Sequence, residues 1–206
     1  MFSLIKKDLL IQKNILLYGI LSTLIIIIAF QQIGDAMFPV AVIALTYVML
    51  QSACYHDDKN NANVLLNVLP IKRSTVVFCR YISVFVFALI SISYYAVLTG
   101  IMKILSIPLK LYSITIEGVL FALFTLIFIN SIYLPLFFKM GYLKSRIINL
   151  ILFFGVGMLG SINEKYRGFL GSYDKMTIMV ILAIFAVIIY GISYILSVKI
   201  YKNREF

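Results

Sequence analysis

Six long apolar runs govern what this chain can fold into: residues 15–33, 38–55, 76–101, 113–138, 147–162 and 176–198. A helix rises about 1.5 Å per residue, and a bilayer core takes roughly 20 residues to cross. Lipid offers no hydrogen bonds to bare backbone, so each run must be a helix or a strand of a closed barrel. The runs are too long and too continuous for barrel strands, which need only about 9–11 residues. The expected fold is all-α and polytopic, with six transmembrane helices in a single membrane domain over residues 1–206. The fifth run is the shortest and carries Gly155, Gly157 and Gly160.

Composition agrees with that class. The chain is 63% hydrophobic and 13% charged, whereas an ordinary soluble domain is about 25% charged. Sixteen Phe and fourteen Tyr in 206 residues cannot be hidden inside a water-soluble protein of this size. A soluble enzyme, a nucleic-acid-binding domain and a disordered chain are excluded. The net charge of +10 reads as basic flanks of membrane spans rather than a nucleic-acid surface. The two cysteines, Cys54 and Cys79, form no metal or redox spacing. No small-residue cleavage motif follows the first run, which reads as a retained helix rather than a signal peptide.

Basic residues orient the spans. With the N-terminus inside, six crossings leave Lys103, Lys110, Lys165, Arg167 and Lys175 outside and 13 of the 18 basic residues inside. That bias follows the positive-inside rule and predicts two cytoplasmic termini in a bacterial plasma membrane. A fifth run that failed to cross would put Lys199, Lys202 and Arg204 outside, against the bias.

Two flanking segments carry more detail. Residues 1–14 read as a helix lying in the membrane interface, with Leu4, Ile5, Leu9 and Leu10 on an apolar stripe and Lys6, Lys7 and Lys13 near the headgroups. The largest soluble segment, residues 56–75, is cytoplasmic in this topology. Within it Asn60 or Asn61 can cap a helix, and Ala62, Leu65, Leu66 and Leu69 recur at i, i+3, i+4 and i+7, one apolar face over two turns. Pro70 ends it, lacking an N–H and restricting the residue before it. Lys72 and Arg73 follow, and Ser74 can cap the next span. So short a helix is marginal alone and must rest on lipid, on the chain's own spans or on a partner.

Asp57 and Asp58 stand beside His56 at the start of this segment. They read as a hydrated loop start paired with Lys59 and Arg80, too few ligands for a metal or catalytic site. No ionisable group lies deep in a run, which argues against a self-powered carrier. No phosphate-binding GxxxxGK[ST] loop occurs, so ATP, if used, is bound by another chain. Near the end of the fourth run Pro135 is expected to kink the helix, Asn130 and Ser131 to bond to neighbours, and Gly141 to permit a sharp exit.

Over nearly its whole length the chain resembles small permease subunits of the type-2 ABC exporter family. The opening FSLIKKDLL, the stretch YHDDKNNANVLLNVLPIKRSTVVFCRYIS and the turn LPLFFKMGYLKSR carry the resemblance. It implies a cytoplasmic ABC ATPase partner holding ATP and Mg, and a second identical or paralogous permease chain. It also implies a coupling helix over residues 61–69 (Asn61, Leu65, Leu66, Leu69), ended by Pro70, with Asp57 and Asp58 supporting it and Lys72 and Arg73 at its exit. Relatives of this kind move small molecules, lipids, antimicrobial peptides or polysaccharides. Tyr94, Tyr95, Tyr133 and Phe137 suit an apolar or amphipathic cargo, and they equally suit packing and interface anchoring. The competing class is the substrate-binding membrane subunit of a vitamin importer, which also has six helices and separate ATPases.

Overall fold

The computed structural model describes residues 2–11, 25, 34, 36–60, 62, 65–66, 71–105, 113–155 and 175–204. Among these, all regular structure is helical: α1 (Phe2–Ile11), α2 (Met37–Lys59), α3 (Arg73–Ile104), α4 (Ile116–Met140), α5 (142–155) and α6 (Lys175–Lys202). Four described stretches are long and apolar enough to cross a membrane: Met37–Lys59, Arg73–Ile104, Ile116–Met140 and Leu182–Lys202. The protein is therefore an all-α, multi-pass membrane protein. The first apolar run lies outside the described residues apart from Ile25. The fifth is described as helix through residue 155.

The chain divides into two compact units, Met1–Leu123 and Phe124–Glu205. In the first, α1, α2 and α3 pack on one another. Thr46 Oγ1 on α2 donates to Ser91 Oγ on α3 at 3.1 Å, and Asp57 on α2 bonds Arg80 on α3. Asp57 follows Thr46 by eleven residues, and Ser91 follows Arg80 by eleven, so the two helices run antiparallel in register. Of α2's most apolar stretch 78% is buried, including Phe38, Val42, Met49 and Ala53. The Phe38 ring meets Tyr95 edge-on at 5.0 Å and covers Gly118 at the start of α4, where a Cβ would stand 2.9 Å from Phe38 Cδ1. Only a glycine lets that ring sit so close to the α4 backbone.

In the second unit α6 lays a narrow stripe of Ala186, Ser193, Ser197 and Tyr201 inward, at spacings of seven, four and four. The rest of its apolar surface, including Phe185, Ile188 and Ile195, faces outward, and only 17% of its apolar stretch is buried. Surface this apolar belongs in lipid.

Several boundaries differ from the sequence expectation. His56 to Lys59 complete the last turn of α2 rather than opening a loop, and Asn60 closes that helix with its N–H on His56 O at 3.1 Å. α3 starts at Arg73 with Lys72 as its cap residue and no side-chain cap bond, so Ser74 lies inside the first turn. The cap of α4 is Thr115, whose Oγ1 accepts the Gly118 N–H at 3.2 Å, with Glu117 placed favourably in the positive first turn. Gly141 has φ 78° and donates its N–H to Phe137 O at 2.9 Å. That is the left-handed glycine stop of an α-helix, and the sharp exit expected there is present.

Candidate functional site

Four charged side chains converge inside the first unit. α1 contributes Lys7 and Asp8, the last turn of α2 contributes Asp57, and α3 contributes Arg80 two turns in from its start. Asp8, Asp57 and Arg80 are each only 4–6% exposed. The Arg80 guanidinium straddles the two acids: Nη1 donates to Asp8 Oδ2 at 3.2 Å and Nη2 donates to Asp57 Oδ2. Lys7 Nζ donates to Asp57 Oδ1 at 2.6 Å and stands 3.6 Å from Asp8 Oδ1. Ser83 Oγ lies 2.9 Å from both Asp8 Oδ2 and the Cys79 carbonyl. With one proton it serves one of them at a time.

The local pattern explains how these groups meet. On α1, Leu4, Ile5 and Asp8 share a face at helical spacing, while Leu9 and Leu10 point outward. On α2, Ala53, Cys54 and Asp57 share the buried side, so prolonging the helix past Tyr55 carries Asp57 inward. On α3, Arg80 and Ser83 are three apart and face the same neighbours. Two cations balance two anions, which makes burial tolerable. The planar fork of Arg80 bridges two carboxylates on different helices, which a lysine ammonium cannot do in the same way. The cluster ties α1 to the last turn of α2 and to α3 two turns in from its start.

Asp57 is therefore not a hydrated loop residue. It pairs with Arg80, as expected, and with Lys7 rather than Lys59. Lys59 instead lies 5.9 Å from the centre of the Tyr55 ring. Asp58 is half-buried. His56 meets Tyr55 edge-on at 5.5 Å, and among the described residues no group of three or more His, Cys, Asp or Glu is placed to hold a metal.

Of the segment expected to form a short amphipathic helix, Ala62, Leu65 and Leu66 are helical. Leu65 is 64% exposed and Leu66 half-buried. Asn61, Leu69 and Pro70 lie outside the described residues. Lys72 is exposed and Arg73 half-buried. The four candidate pathway aromatics divide between the units. Tyr94 is half-buried and Tyr95 fully buried in the first. In the second, Tyr133 and Phe137 are buried with ring centres 6.1 Å apart, and Phe137 also meets Phe138 at 5.4 Å.

A family model described as ABC-2 family transporter protein matches residues 3–202, nearly the whole chain. The protein belongs to that family. No curated protein and no solved structure matches it. As an ABC-2 family member with several long apolar helices, it is a permease-type membrane subunit of the ABC transporter class. The cluster therefore lies in a transport protein, at the junction of its α1 with two spans.

Sequence reasoning missed Lys7, Asp8 and Ser83 as members of this site and treated Arg80 only as a loop partner. One signal was available: an acid embedded between Lys7 and Leu9 in an otherwise basic and apolar opening has no local reason to be there.

Proposed function

We propose that this ABC-2 permease-type chain serves an ATP-driven exporter and receives the movement of a separate cytoplasmic ATPase through residues 60–72. In this reading residues 61–69 form the coupling helix, with Leu65, Leu66 and Leu69 as its docking face and Asn61, Pro70, Lys72 and Arg73 framing it. Asp57 and Arg80 anchor the two stems of that segment to α1, the proposed interfacial helix of residues 1–14. A push on the segment then moves α1, α2 and α3 together. Asp58 has the lesser, supporting part. ATP and Mg bind the partner ATPase, and the chain works as one permease domain paired with a second identical or paralogous copy. The proposed cargo is hydrophobic or amphipathic (a peptide, drug or lipid-like molecule), with Tyr94, Tyr95, Tyr133 and Phe137 shaping its route.

The observation that carries the reading is the buried cluster itself: a costly set of charges placed on the two helices that lead into and out of residues 60–72 of a transporter-family chain. The six-span topology draws on a further feature. Ser131 of α4 meets Ser193 of α6, and Phe138 meets Tyr201 at 5.2 Å, so α4 and α6 run parallel. A chain that leaves one parallel span and enters the next has to cross back between them, which supports a crossing by the fifth run and two termini on the same, cytoplasmic, side. Native mass measurement of the complex drawn from membranes with its ATPase tests the assembly: two permease and two ATPase chains are expected, and an active complex with one permease chain refutes it.

A further inference from the structure

α4 runs without interruption through Pro135. Proline has no N–H, so the carbonyl four residues earlier, on Ser131, loses its helical donor. Within a membrane no water replaces that donor, and the carbonyl must find a partner in the protein. It does: Ser193 Oγ on α6 donates to Ser131 O at 2.7 Å, with both residues buried. Thr46, Ser83, Ser91, Thr99, Ser131 and Ser145 each place the hydroxyl within hydrogen-bond distance of the carbonyl four residues back in their own helix. Ser193 reaches across to a neighbouring helix, and to the carbonyl that proline leaves open. α4 meets α6 and the residues just after it again about two turns on. Phe138 stacks edge-on against Tyr201 at 5.2 Å, and Arg204 Nη1 donates to Phe138 O at 3.0 Å.

We propose that Ser193 is a positioning residue for α4: its hydroxyl stands in for the amide that Pro135 lacks and makes the last two turns of α4 move with α6 as one body. Proline opens a bend point, and the serine transfers its control from α4's own backbone to another span. The residues from Ser131 onward then follow α6 rather than the first half of α4. This proposal uses the chain's membrane insertion and does not depend on the export reading, so its test needs no ATPase and no cargo.

The test is a double-substitution cycle on the full-length chain in lipid nanodiscs, read by reversible unfolding and by spin-label distances between positions 139 and 202. In the native background, Ser193→Ala leaves a buried carbonyl unpaired. The folded-to-unfolded ratio is expected to fall about tenfold, with a broadened 139–202 distance distribution. Pro135→Ala restores the N–H within α4. On that background Ser193→Ala is expected to change the ratio by less than about twofold and to leave the distances narrow. Ser193→Thr keeps the hydroxyl and is expected to match the native chain, a check that survives even if Pro135→Ala proves unstable. Equal losses for Ser193→Ala in both backgrounds, or equal losses for the Ala and Thr variants, overturn the proposal.

Discussion

Replacing Arg80 with methionine removes the guanidinium that hydrogen-bonds to both buried acids. Methionine keeps much of the side-chain volume and none of the charge. Asp8 loses its 3.2 Å bond to Nη1 and retains Ser83. Asp57 loses Nη2 and retains Lys7 at 2.6 Å. Two carboxylates then share a single ammonium, and the cluster changes from neutral to a net negative charge out of water. Each lost pair is worth about 4 kcal/mol of attraction at an effective dielectric of about 20, offset in part because arginine no longer has to be desolvated. The expected net loss is about 3–5 kcal/mol, a large fraction of the stability of a typical domain. Lys7→Met is the internal control. The Lys7 side chain is 33% exposed, so water and salt already screen it, and its removal is expected to cost about 1 kcal/mol or less. Arg80→Lys keeps the charge without the fork and is expected to fall between the two. Equilibrium unfolding in nanodiscs measures all three. Adding Asp8→Asn to Arg80→Met removes the unbalanced charge, leaving Asp57 paired with Lys7 at 2.6 Å, and is expected to recover most of the loss. If Arg80→Met costs no more than Lys7→Met, the cluster is not the buried, balanced unit described above.

Three further outcomes follow from the same geometry. Asp57→Asn is expected to destabilise the protein by about 2–3 kcal/mol by breaking hydrogen bonds to charged donors, while Asp58→Asn stays within about 0.5 kcal/mol; the pair is separated by thermal unfolding in lipid, and equal effects contradict the assignment. Gly141→Ala is expected to cost about 1–3 kcal/mol because φ there is 78°, a region closed to a Cβ without strain, and Gly141→Asn is expected to recover part of it, both read by midpoint shifts. Gly118→Val places a Cβ 2.9 Å from Phe38 Cδ1, on a ring that also meets Tyr95 edge-on at 5.0 Å, and is expected to cost about 1–3 kcal/mol and to shorten the folded lifetime in a protease-sensitivity assay.

What could be read from the sequence was local. Span placement follows from hydropathy, and the described helices fall where four of the six runs predict them. Gly141 is legible because a glycine after a long apolar run has one common reason to be there. The errors came where a charge ended a run on paper and not in the backbone. Hydropathy stops at Tyr55, yet main-chain hydrogen bonding carries α2 on to Lys59, and that one extra turn converts Asp57 from a surface acid into a buried one. Its partners are 50 residues away at Lys7 and 23 away at Arg80, and the Asp8–Arg80 bond spans 72. No periodicity links such distant positions. The α4 cap was local and still overlooked: Thr115 followed by Glu117 at a helix start is an ordinary capping pattern.

The proposed coupling role stands or falls on the ratio of ATPase to permease recovered from membranes. Leu65→Ala combined with Leu69→Ala removes two large side chains from the proposed docking face; each loss is worth about 2–5 kcal/mol where the leucine is buried against a partner. The variant is expected to reach the membrane at near-normal levels while ATPase recovered per folded permease falls at least about tenfold, with Asn67→Ala as a silent control on the opposite face. An unchanged ATPase-to-permease ratio, with lower yield of the folded permease instead, contradicts the account and assigns those leucines to the chain's own packing or to lipid.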